Sequence, residues 1–128
     1  MEPAKIKSFT DLKVWQEGHA LVLMVYRLTK QFPREELYAL TDQMPRAATS
    51  ITSNVAEGFG RNGYRGKVQF YCVAQVSLTE LKNQILIARD VGYLTEKELK
   101  EIALQANEVH KILQGLIRKS KTFLHLKS

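Results

Sequence analysis

The stretch AEGFGRNGYRGK, residues 56–67, holds four glycines and three basic side chains and spells GxGxxG at Gly58, Gly60 and Gly63. A dinucleotide-binding loop needs a strand before its first glycine, a helix opening at its last, and an acid on a following strand. The residues before Gly58 carry a helical pattern, so the first requirement fails. A P-loop fails too: Gly66 and Lys67 are followed by Val68, and Arg61 stands where the first glycine belongs. The stretch therefore reads as a helix–helix connection. Gly58 and Gly60 are expected to end one helix, and Gly63 and Gly66 to let the chain reverse before the next.

Upstream of this connection, residues Leu37 to Gly58 place Leu40, Met44, Ala47, Ala48, Ile51 and Val55 on one helical line. Pro45 removes one intrahelical donor and predicts a kink or a local start. Before it, Leu12 to Gln31 predicts another helix, with Ser8 and Asp11 spaced as a cap and Pro33 closing the segment. Its run ALVLMVY, Ala20 to Tyr26, is apolar on more than one side, which suggests a second buried face and hence a subunit contact.

Downstream, Lys67 to Val91 repeats Phe70, Val73, Ala74, Ser77, Leu78, Leu81, Ile85 and Ala88, with Gly92 placed as a left-handed cap. Thr95 and Glu98 then form a capping box, and Leu99, Ile102, Ala106, Val109, Leu113, Leu116 and Ser120 carry a last helix to about Lys121. No segment alternates as a strand would. Four helices of roughly 20 to 26 residues, each about 30 to 39 Å long, with short connections, predict an all-α, antiparallel up-and-down four-helix bundle. One domain over residues 1–128 suits this length.

The composition, 45% apolar and 25% charged, excludes a disordered chain, and the longest apolar run is too short to span a bilayer. The N-terminus MEPAKIKSF lacks the apolar core of a secretory signal, and the single cysteine, Cys72, has no internal partner. A cytoplasmic location is expected. The net charge of +6 is localised: Arg61, Arg65 and Lys67 crowd the connection, and Lys111, Arg118, Lys119, Lys121 and Lys127 follow the last acid, Glu108. Setting those eight aside leaves eleven basic residues against thirteen acidic ones. A basic turn and a basic tail of this kind suit an anionic partner. Three cations around Tyr64, next to the N-terminus of a helix, suit phosphate and could stack one base.

Catalytic and metal chemistry find little support. None of His19, His110 and His125 has a glutamate three residues before it, as a carboxylate-bridged centre in a bundle requires, so no metal or cofactor is expected. Asn54 with Glu57, and Ser77 with Glu80, repeat one spacing on two helices beside apolar lines. They are expected to form a structural hydrogen-bond network, with an acid–base pair of Glu57 and Glu80 as the enzymatic alternative.

Four segments resemble the small bacterial four helix bundle protein family, whose founding members are encoded in intervening sequences of large-subunit ribosomal RNA genes. They are DLKVWQ (11–16), YRLTKQFP (26–33), QMPRAATSITSNVAEGFGR (43–61) and SLTELKNQILIARDVGYL (77–94). The specific blocks are Asn54, Glu57, Gly58 and Arg61, and Ser77, Glu80 and Leu81. Val76 and Thr52 stand where the family often has glycine and proline, which is expected to alter helix packing at the first and to straighten the helix at the second. The resemblance implies a ring-like homo-oligomer, a pentamer, without enzymatic activity. The family is similar in structure to the accessory protein of diversity-generating retroelements, a basic pentameric barrel that binds a reverse transcriptase and nucleic acid.

These readings together lead to a non-enzymatic homo-oligomer that binds the backbone of RNA or DNA, with Arg61, Arg65, Lys67, Arg118, Lys119 and Lys121 as contacts, and that by analogy assists a reverse transcriptase. The alternative is a protein-interaction scaffold that binds no nucleic acid.

Overall fold

The computed structural model describes residues 5–126, and among them there are four α-helices and no strand. Lys127 lies outside the described residues.

Ser8 does cap as expected, its hydroxyl accepting from the Thr10 amide while the Asp11 carboxylate accepts from the Ser8 amide. The cap serves a 3-10 turn, Phe9–Asp11, and α1 (Lys13–Thr29) opens separately behind it. The helix buries Val14, Gly18, Leu21, Val22 and Val25, and leaves Leu23 and Tyr26 of its second apolar face about half exposed. It stops two residues before Gln31, because the amides of Gln31 and Phe32 turn back to Leu28 and Thr29 in three-residue steps.

The second helix, α2 (Leu40–Phe59), starts three residues later than its sequence pattern suggests. Arg34–Glu36 form a 3-10 turn of their own, and a Glu36 oxygen accepts from the Leu40 amide at 3.3 Å, standing in for a cap. The helix runs through Pro45 rather than starting there. It also continues through Thr52, whose methyl lies 3.0 Å from where a Cβ on Gly18 would stand. All six expected apolar positions of α2 are buried.

The third helix, α3 (Tyr64–Asp90), begins three residues before Lys67, after an extended Gly63. Its buried line includes Tyr71 and Gln84 and omits Val73, which is exposed. Val76 is 68% exposed, so the residue in place of a family glycine does not enter the core. At the end of α3, Gly92 takes φ 83°, its amide bonds Arg89 O, and the Tyr93 amide bonds Ala88 O. This is the left-handed termination the sequence predicts, in its full two-bond form.

The fourth helix, α4 (Glu96–Leu126), follows the reciprocal bonds of Thr95 and Glu98 at 2.9 and 3.1 Å. It extends five residues beyond Lys121, since no glycine or proline intervenes to stop it. Each helix packs against its neighbours in sequence, and α4 closes against α1. One continuous apolar core results, centred on Leu21, Met44, Ile51, Leu78, Leu81, Ile102 and Leu113. No helix among the described residues is long and apolar enough to cross a membrane.

Candidate nucleic-acid interface

The basic residues of the connection divide into two roles. Lys67, on the first turn of α3, turns its ammonium back onto the end of α2, donating to Phe59 O at 2.7 Å and Gly58 O at 3.3 Å. Those carbonyls belong to the C-terminal turn of α2, the negative end of the helix dipole, where a cation is favoured. The ammonium also lies 5.4 Å from the Phe59 ring centroid, and burial pushes its pKa below the ordinary lysine value. Lys67 thus serves first as a cap for α2, a role that its place in a basic cluster did not announce.

Arg61 extends over the Phe70 ring at 4.4 Å and meets Glu57 at 3.5 Å, with both members of that ion pair about half exposed. Such a pair is easily given up to another anion. Its stem crosses Gly66, where an added Cβ would come within 3.3 Å of Arg61 Cβ and Cγ. Gly66 therefore lies inside α3 and makes room for Arg61, instead of helping the chain to reverse. Gly58 is likewise inside α2: a Cβ there would stand 2.6 Å from the Tyr71 ring, so this glycine permits close helix approach while Gly60 takes the terminal position. Arg65 is exposed and makes no ion pair among the described residues.

The tail supplies Arg118, Lys119 and Lys121, all exposed on α4 and all without ion pairs among the described residues. The fold brings tail and connection to one end of the bundle. Tyr64 stacks on Phe123 with ring centroids 5.1 Å apart and planes at 28°. This stacked pair helps to line a depression of about 360 Å³, with Phe59 and Tyr71 beside it and Lys67 and Lys119 as the charged members. No acidic residue lines it. Phe123 went unremarked in the sequence because it lies beyond the expected end of α4.

The expected polar network needs correction. Glu57 and Glu80 are exposed, and no hydrogen bond joins them. Glu57 pairs with Arg61, and Glu80 accepts from the buried Gln84 at 3.4 Å. The real inter-helix link is the 2.8 Å bond between the Ser50 and Ser77 hydroxyls, with Asn54 donating to Ser50 O at 2.8 Å and to its hydroxyl at 3.2 Å. Ser50 was legible in principle: it lies four residues before Asn54, hence on the same face. The glutamates escape because longer side chains reach solvent, where their charge needs no protein partner.

The remaining candidates are scattered. His19 stacks on Trp15 at 4.7 Å, and Cys72 is a half-buried free thiol. His110 is half-buried with an unpartnered Nδ1, and burial, together with Lys82 nearby, pushes its pKa below the ordinary value. Among the described residues no three His, Cys, Asp or Glu side chains gather as a metal site.

A four-helix bundle with a basic, aromatic end is the class of molecule these observations define. The chain belongs to the 23S rRNA-intervening sequence protein family, whose model matches residues 10–115. Its fold is similar to the crystal structure of a protein of unknown function from the S23 ribosomal protein family of Bacteroides thetaiotaomicron. That likeness has a TM-score of 0.76 at 19% identity, over 82% of this chain and 95% of the other. At that identity the likeness shows the fold alone. No curated protein matches the chain.

Proposed function

We infer that the chain is a non-enzymatic accessory protein that binds the backbone of RNA or DNA as a homo-oligomer in the cytoplasm. The observation that carries this reading is the meeting of two basic segments, 61–67 and 118–121, at one end of the bundle, with Lys67 and Lys119 in one depression. Cations clustered this way release counterions when phosphates replace them, which favours binding without sequence preference. An antiparallel course of the helices accounts for the pairing of their ends, Phe32 with Tyr93 and Tyr64 with Phe123. Assembly into a ring, a pentamer by the resemblance above, would bring several basic ends together. Help to a reverse transcriptase is the role suggested by likeness to the retroelement accessory protein.

Fluorescence anisotropy with labelled RNA and DNA over a series of salt concentrations tests the reading. Affinity is expected to fall steeply with salt. Replacing Arg61, Arg65, Arg118, Lys119 and Lys121 by alanine is expected to flatten the slope, and an unchanged slope would remove these residues from the mechanism. Absence of binding at low salt, with a protein partner co-purifying instead, would favour the scaffold reading. The exposed apolar side chains of Val76 and Leu104 give that alternative its support.

A further inference from the structure

We propose that the depression at the basic end seats an unstacked base of single-stranded nucleic acid, so that the molecule prefers single strands to duplex. This rests on the backbone-binding reading above and adds to it the form of the ligand.

The depression combines two kinds of surface. It is lined in part by Phe59, by the mutually stacked Tyr64 and Phe123, and by the buried Tyr71, and its volume of about 360 Å³ falls within the usual range for small-molecule sites. Its charge comes from Lys67 and Lys119 with no acid to balance them. A wholly apolar occupant would leave the lysines without anions. A duplex would present phosphates to the lysines but keep its bases paired, leaving the aromatic surface unused. An unpaired nucleotide uses both, because its base has a flat π-face that stacks on aromatic side chains and its phosphates are anionic.

Lys67 adds a directional element. Two of its three ammonium donors are taken by Phe59 O and Gly58 O, which hold the group in place and leave one donor for a base carbonyl or a phosphate oxygen. The exposed cations Arg65, next to Tyr64 in sequence, and Lys121, two residues before Phe123, remain for the flanking phosphates.

The test compares a labelled single-stranded RNA of about 12 nucleotides, within the usual span of single-strand sites, with its blunt duplex at one salt concentration. The single strand is expected to bind about tenfold tighter. Phe123 is 37% exposed, so its substitution spares the core. Phe123→Ala and Phe123→Leu are each expected to weaken single-strand binding, the alanine by about tenfold, while leaving duplex binding and the salt slope unchanged. Phe123→Tyr keeps the ring and is expected to keep the affinity. An oligonucleotide with central abasic sites should bind the original protein and Phe123→Ala alike. Equal affinity for single strand and duplex, or equal losses for both in Phe123→Ala, would overturn the base seat and leave backbone binding standing. Failure of either nucleic acid to bind at low salt would overturn both.

Discussion

Gly58 and Gly60 look equivalent in the sequence, yet their surroundings are opposite. A methyl at Gly58 would meet the buried Tyr71 ring at 2.6 Å, whereas at Gly60 the nearest atom is a carbonyl oxygen 3.6 Å away and φ is −75°. Gly58→Ala should therefore cost about 1–3 kcal/mol by overpacking, and Gly60→Ala should change stability by no more than about 0.5 kcal/mol. Urea denaturation of the two variants separates these outcomes. His110 supplies a pH dependence. Its pKa is lowered in the fold, chiefly by burial and further by Lys82, so between that value and about 6.5 the unfolded chain binds more protons. Stability is fully present above about pH 6.5 and is lost as pH falls through the folded value. His110→Gln should flatten this slope in denaturation series between about pH 7.5 and pH 5.

At the level of elements, α3 and α2 end by different devices. The α3–α4 connection depends on Gly92 at φ 83°, a conformation that disfavours any Cβ. Gly92→Ala should cost about 1–2 kcal/mol, read from the shift in denaturation midpoint. The α2–α3 connection has no left-handed residue and depends instead on Lys67 donating to the last carbonyls of α2. Lys67→Met keeps most of the stem but loses those donors, and should lower stability by about 1 kcal/mol. Because the ammonium is already engaged, the same change should reduce the salt slope of nucleic-acid binding less than Arg65→Ala does. Equal reductions would show that Lys67 meets phosphate as freely as Arg65.

At the scale of the whole molecule, the exposed apolar side chains are where the proposed assembly is best perturbed. Val76 and Leu104 are 68% and 71% exposed, and neither contributes to the core. Val76→Glu and Leu104→Glu should leave the helical content unchanged and lower the native mass measured by light scattering if these side chains lie between copies. A native mass of one chain before any substitution would overturn the proposed assembly, and an oligomeric mass unchanged in both variants would direct the search to Leu23 and Tyr26 of α1. The number and type of helices, the left-handed stop at Gly92 and the capping box at Thr95 follow from the chain alone, because periodicity and capping are local and repeat their cause within a few residues. The burial of Tyr71 in place of Val73, the exposure of Glu57 and Glu80, the use of Lys67 as a cap and the meeting of Tyr64 with Phe123 were decided only by tertiary packing. Each depends on which atoms of another helix come close, and separation along the sequence carries no measure of that.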